Sequence, residues 1–415
     1  MKPRALARTI SAAMRTFPAV VVTGPRQSGK TTLLRAIGAG THRFVSLEDP
    51  DVRMHAQEDP RGFLDRYPPP LILDEIQYFP ELLSYIKTRI DERRSPGRWL
   101  FTGSQNFVLM QGVSQSLAGR AAVLSLLPFS VAERLGRGDR TPGVHDWLLS
   151  LDSGPSEGVK ADLAEVILRG CYPEIASRKA VDRQIWCGSY ISTYLERDVR
   201  NLAHIGDLNQ FERFLKLCAV RTGQILNLSD LARETGVSVP TAKRWLSVLE
   251  TGYQVFLLTP YYRNIGKRLI KSPKLYFGDT ALASYLLGLH DRETLFNSPQ
   301  FGALFETMVI TDVWKRHLQA GAKPSMYFFR TRDGLETDLV VEDGTDLRLF
   351  ELKSGMTIVP KHAASLNRFR AFLEPNAAKA YILSAARSRF PLGRGAWSLN
   401  WFNEVYFIRH YSFNR

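Results

Sequence analysis

The chain has 415 residues, 44% hydrophobic and 23% charged, with a formal net charge of +14 and a pI near 9.7. That length predicts two or three domains, and no apolar run is long enough to span a membrane. Three cysteines (Cys171, Cys187, Cys218) without paired spacing exclude a disulfide framework and fit buried thiols in a cytoplasmic protein, while the positive excess favours a polyanion partner, DNA above all.

The basic N-terminus reads as a first helix rather than a targeting peptide, because it runs into an apolar strand with no small-residue cleavage site. Val20-Val21-Val22-Thr23 is followed by Gly24-Pro25-Arg26-Gln27-Ser28-Gly29-Lys30-Thr31-Thr32, which fits G-x-x-x-x-G-K-[ST] at every fixed position, with helix-forming residues after it. The glycines let backbone N–H groups wrap phosphates at a helix N-terminus. Lys30 is suited to the β- and γ-phosphates and the Thr31 hydroxyl to Mg²⁺, so ATP and Mg²⁺ are the expected ligands. Leu71-Ile72-Leu73-Asp74-Glu75 is a second apolar strand, ending in two carboxylates. Asp74 is assigned to the Mg²⁺ and Glu75 to polarising the attacking water. Residues 98–105 form a third strand ending in small polar residues, where Ser104 is the first candidate to sense the γ-phosphate and Gln105 the second.

These three elements resemble the AAA-type branch of the P-loop ATPases. The resemblance implies ATP hydrolysis on a sheet of five parallel strands, near 19–23, 43–47, 71–74, 98–102 and 122–127. It also implies a homo-oligomer in which a neighbour's arginine completes the catalytic set of Lys30, Glu75 and Ser104. Arg120, in Leu117-Ala118-Gly119-Arg120, is the candidate, with Arg197 and Arg200 as rivals; an ordinary surface ion pair is the alternative for each.

Residues 1–135 are read as the ATPase domain and 136–160, rich in Gly, Ser, Pro and Asp, as a linker. Helical periodicity follows over 161–295, with Gly170-Cys171-Tyr172-Pro173-Glu174 as a turn. Residues 228–250 read as a helix-turn-helix, with Ser229 capping the first helix, Gly236 making the turn and Ser238-Val239-Pro240-Thr241 opening the second. Strand-like runs at 254–258 and 274–277 would complete a winged helix. Ser238, Thr241, Lys243 and Arg244 are then the groove-facing candidates, and Arg263, Lys267, Arg268, Lys271 and Lys274 a phosphate-facing cluster. A structural lid or protein contact is the plain alternative.

From 296 to 385 a separate α/β unit is predicted: a helix from Phe301, then strands near 325–330, 335–341 and 347–353. Asp338 interrupts an apolar run, and Glu351 and Lys353 flank Leu352 on one strand face. This arrangement resembles the D…E-x-K core of restriction-endonuclease-like nucleases. Carried over, Glu306, Asp338 and Glu351 would be metal ligands and Lys353 would activate water or stabilise charge; an internal salt bridge is the alternative. Nearly the whole chain resembles a prokaryotic family of AAA-type ATPases with such a C-terminal domain, through the motifs above together with Leu127-Pro128-Phe129-Ser130, Gly302-Ala303-Leu304-Phe305-Glu306 and Phe350-Glu351-Leu352-Lys353-Ser354. The tail, 386–415, matches nothing. The expected architecture is thus α/β: a parallel P-loop NTPase sheet of AAA type, a helical and winged-helix region, and a small restriction-endonuclease-like α/β domain. The expected function is nucleic-acid-coupled ATP hydrolysis with a nuclease-like domain. Its rival is a nucleotide-dependent switch that acts on protein partners and whose C-terminal domain is catalytically dead.

Overall fold

Strands that are apolar along their whole length must be covered on both faces, as in a parallel sheet. β1 (Ala19–Thr23), β3 (Leu71–Asp74) and β4 (Trp99–Gly103) are buried throughout, whereas β2 (Arg43–Ser46) and β5 (Ala121–Ser125) are partly exposed. The five form one parallel sheet in the order β2-β3-β4-β1-β5, with the three apolar strands inside and the two others at its edges. Alternate side chains of β1 feed two cores. Ala19 and Val21 pack with the helices Pro60–Arg66 and Leu82–Glu92, and Val20 and Val22 with Leu6–Met14 and Lys30–Ile37. The computed structural model describes residues 2–104, 113, 116–152, 161–194, 208–261, 271–373, 378–386 and 389–404. Among them no helix is long and apolar enough to cross a membrane, and all three cysteines are buried and free.

The middle region is helical, as its periodicity predicts. Helices Leu228–Thr235 and Val239–Thr251 are joined through Gly236, whose φ of 81° only glycine adopts without strain. Asn227 rather than Ser229 caps the first helix, and Ser238 caps the second by accepting from the Thr241 amide. Beside them β6 (Gln224–Ile225), β7 (Val255–Leu258) and β8 (Lys274–Phe277) make a three-stranded antiparallel sheet in the order β6-β8-β7.

The C-terminal unit is a six-stranded mixed sheet, order β13-β14-β12-β11-β10-β9, built from β9 (Met326–Arg330), β10 (Glu336–Asp343), β11 (Asp346–Lys353), β12 (Ala378–Ser384), β13 (Phe390–Gly393) and β14 (Ala396–Asn400). Helix Ala364–Phe372 covers one face, with Phe369 stacked on Phe329. Two sequence-level boundaries are corrected. The expected linker 136–160 contains helix Val144–Ser150, whose fully buried Trp147 stacks on Phe350 and meets Trp401 edge-on. One aromatic is enough to dock a stretch whose composition is otherwise that of a loop. The supposed tail supplies β13, β14 and the buried Trp401. The middle and C-terminal regions thereby share one apolar core.

Candidate functional site

At the C-terminal edge of the parallel sheet, where open α/β sheets bind ligands, the ends of β1, β3 and β4 meet. From β1 the chain turns through Gly24 (φ 147°), Gln27 (φ 57°) and Gly29 (φ 92°) into helix Lys30–Ile37. A Cβ on Gly24 would stand 2.1 Å from the Leu126 carbonyl oxygen, so only glycine lets the loop pass the end of β5. Lys30 is 5% exposed and donates to the loop's own Gly24 and Pro25 carbonyls at 3.0 and 2.9 Å. The buried Ser28 hydroxyl has no hydrogen-bond partner among the described residues.

Thr31 and Thr102 both donate to Asp74 Oδ1, at 2.7 and 2.6 Å, and the Thr102 hydroxyl also accepts from the Glu75 amide at 2.9 Å. Burial raises the Asp74 carboxyl above its ordinary range, against those two hydroxyl bonds. Ser104 donates to Glu75 Oε2 at 2.8 Å, and Gln77 donates to the same oxygen. Burial pushes Glu75 upward too, but the Lys30 charge and the Gln77 and Ser104 bonds outweigh it and hold the carboxyl below its usual range. Two neutral donors thus hold the Glu75 carboxyl in place.

A cavity of about 380 Å³ opens here, lined by Arg26, Gln27, Gly29, Lys30, Thr31, Thr32, Glu75, Tyr190 and Thr193. The loop and acid-pair residues singled out in the sequence thus come together with Ser104 beside them; Gln105, Arg197 and Arg200 lie outside the described residues. Thr102, Gln77, Tyr190 and Thr193 were missed. A threonine inside an otherwise apolar strand was a signal for the first. Tyr190 and Thr193 come from helix Arg183–Tyr194, far along the chain, and no local pattern marks them. Tyr190 also accepts from Gln254 and from Tyr172, and the neighbouring Tyr253 hydroxyl meets Thr23 and Ser125 at 3.0 and 3.1 Å. Arg120 does not join the cavity within one chain. Its carbonyl accepts from the Ala19 amide at the opposite end of β1, and its side chain makes a two-point pair with Asp91.

The C-terminal candidates form a second group. Lys274 of β8, 3% exposed, lies 3.2 Å from Glu306, 2.6 Å from Glu336 and 3.8 Å from Asp338. Asp338 accepts from the Leu352 amide at 2.8 Å, and Glu351 takes Lys353 at 2.7 Å and Ser365 at 3.1 Å. Burial and then the Asp338 charge push both Glu306 and Glu351 up to about 7. Burial works to strip the Lys274 proton, yet the three carboxylates keep it well above its ordinary range. This corrects one expectation. Lys274 does not face solvent with the basic cluster; of the others Lys271 is exposed, and Arg263, Lys267 and Arg268 lie outside the described residues. Glu306, Asp338 and Glu351 lie close enough for the Asp338 charge to act on both glutamates, with the Lys274 ammonium beside Glu306 and Asp338, and among the described residues no three His, Cys, Asp or Glu side chains are grouped to hold a cation.

The sequence model of the AAA domain matches residues 16–135, and two models described as domains of unknown function (DUF8612 and DUF4143) match 160–293 and 301–402. Uncharacterized protein Rv2008c of Mycobacterium tuberculosis is 31% identical over 390 residues, 94% of this chain and 81% of that one, and Uncharacterized protein Mb2031c of Mycobacterium bovis matches equally. The chain belongs to the family of these two proteins. Its N-terminal domain is an AAA-type P-loop ATPase domain. Among solved structures, the Walker-type ATPase paby2304 of Pyrococcus abyssi aligns at 14% identity over 69% of this chain and 99% of that chain, with a TM-score of 0.41. The RuvB Holliday junction branch migration motor of Thermotoga maritima aligns at 20% over 61% and 89%, with a TM-score of 0.31. Neither alignment reaches a score at which a whole-chain arrangement is shared.

Proposed function

We propose that the chain binds ATP with Mg²⁺ and hydrolyses it at the cavity between the parallel sheet and helix Arg183–Tyr194. The observation that carries this reading is the convergence of Lys30, Thr31, Asp74, Glu75 and Ser104 on one site. The residues fit a hard divalent cation: a threonine hydroxyl and a carboxylate lie 2.7 Å apart beside the phosphate loop, an oxygen donor pair of the kind Mg²⁺ prefers. Bound there, Mg²⁺ would neutralise phosphate charge. Lys30 moves from the loop carbonyls to the phosphates, and Glu75, already ionised, takes the proton of the attacking water while Ser104 and Gln77 orient it. The test is Mg²⁺-dependent ATP turnover by the full chain with Lys30→Ala as the blank. Glu75→Gln should keep nucleotide binding and lose turnover by about 100-fold or more. Turnover by Glu75→Gln at the native rate would sink the assignment.

For the middle region we propose nucleic-acid contact by a winged helix. Its support is the net charge of +14 and the exposure of Ser238, Lys243 and Arg244 on the second helix. Lys243→Ala with Arg244→Ala should weaken DNA binding and lower its salt slope by about 2. A neighbour's Arg120 completing the ATP site remains our assignment for a homo-oligomer, and Arg120→Ala should then bind ATP without hydrolysing it. For the C-terminal domain the Lys274 ion pairing favours the second reading, a domain that does not cut and so leaves the ATPase to act as a switch. Cleavage of DNA with Mg²⁺ or Mn²⁺ that Glu351→Ala abolishes would overturn it.

A further inference from the structure

Arg4 belongs to none of the nucleotide motifs, yet it is 6% exposed and sits against the outside of the phosphate loop. Its guanidinium donates to the Ser28 carbonyl at 2.8 Å, to the Leu127 carbonyl at 2.6 Å and to Glu133 Oε1 at 3.2 Å. Its carbon lies 4.8 Å from the centre of the Phe129 ring. Glu133 is fully buried and held in place, accepting from the Ala5 and Ser130 amides at 2.8 Å each. Three acceptors in three directions around one planar donor is a task for arginine and beyond lysine.

The grip on Ser28 has a geometric consequence. In a trans peptide the carbonyl oxygen of one residue and the N–H of the next lie in one plane and point opposite ways. Pulling the Ser28 oxygen outward toward Arg4 therefore aims the Gly29 N–H inward, and Gly29 lines the nucleotide cavity. Backbone N–H groups at this position of the loop are its phosphate donors.

We infer that Arg4 is a positioning residue of the nucleotide site, setting the Ser28–Gly29 peptide plane for the phosphates. The inference rests on the ATP-site reading above. Arg4 also ties the loop to residues 127–134, which helix Phe301–Gln319 holds from the other side: Asp312 accepts from the Val131 amide at 2.6 Å and Lys315 donates to the Phe129 carbonyl at 3.0 Å.

The experiment compares full-length native chain, Arg4→Lys, Arg4→Ala and Lys30→Ala by ATP-dependent turnover and by titration with a fluorescent N-methylanthraniloyl ATP. For Arg4→Lys, KM and the analogue's Kd should both rise about tenfold with kcat within about threefold, the split expected from loss of a preset phosphate donor. Millimolar guanidinium should restore much of the affinity to Arg4→Ala, which a merely structural loss would not show. Unchanged KM and Kd in the Arg4 variants overturn the inference, as does a melting-temperature loss with no affinity change and no guanidinium rescue. Should Arg4→Ala not fold, the KM and Kd of Arg4→Lys decide alone. Unimpaired nucleotide binding by Lys30→Ala would mark a failure of the ATP-site reading itself, a result distinct from all of these.

Discussion

Replacing Lys274 by methionine keeps most of the side chain's volume and removes its charge from a site that is 3% exposed. Taking one member out of a buried charge group costs about 3–5 kcal/mol, because the partners stay desolvated and unpaired. Two of the three carboxylates keep other support: Glu336 retains Arg330 at 3.1 Å, and Asp338 retains the Leu352 amide at 2.8 Å. Glu306 keeps the Tyr276 hydroxyl. The loss therefore belongs at the low end, about 3 kcal/mol at pH 8. Its pH dependence follows from Glu306, whose carboxyl burial and the Asp338 charge push up to about 7. A carboxyl raised in the folded state contributes stability that is fully present below its unfolded value, 4.5, and is lost as pH rises through about 7. At pH 5 Glu306 carries its own proton, and the substitution should cost only about 1 kcal/mol. Urea unfolding followed by tryptophan fluorescence reads this region, since Trp147 and Trp401 lie in the core against the six-stranded sheet. A loss below ~1 kcal/mol at pH 8, or an equal loss at both pH values, refutes the counter-ion role.

Gly24→Ala should abolish binding of the fluorescent ATP analogue, because its Cβ would lie 2.1 Å from the Leu126 carbonyl oxygen at a φ of 147°. Trp147→Ala should lower the urea midpoint by the equivalent of about 3–5 kcal/mol, the cost of an emptied aromatic site in a core that cannot collapse onto it. Tyr253→Phe removes a hydroxyl shared by Thr23 and Ser125, which retain each other at 3.3 Å, so its stability loss should stay near 1 kcal/mol. Hydrogen exchange over 239–258 should nonetheless respond less to a non-hydrolysable ATP analogue in Tyr253→Phe than in the native chain.

The nucleotide loop and the acid pair were legible because their chemistry is local. Eight residues carry the glycines, the lysine and the threonine, and two adjacent carboxylates end a strand whose apolar run announces its burial. The five strands of the parallel sheet, and β9, β10 and β11 of the other, were found to within two residues for the same reason. Features made by distant packing were not legible. Lys274 reads as one more cation in a basic stretch, and only the fold brings it across 32 residues to Glu306. Glu351 and Lys353 flank Leu352 in the sequence as a nuclease motif would, and nothing in that spacing tells an ion pair from a metal site. Tyr190 sits on a helix whose pattern is fully explained by core burial, and its second duty at the cavity appears only when the helix is placed against the phosphate loop. β12, β13 and β14 all escaped, and β13 is short and pairs irregularly with β14.

Trp147 falls in the interval between the stretches 16–135 and 160–293 that the domain models match. A recombination event, a truncation or a chimaera drawn along those borders would discard the ring that fills the C-terminal core while keeping every recognisable domain. Descent should therefore have transmitted the three stretches and the interval as one heritable block. Limited proteolysis should likewise spare 144–150 even where its composition invites cleavage.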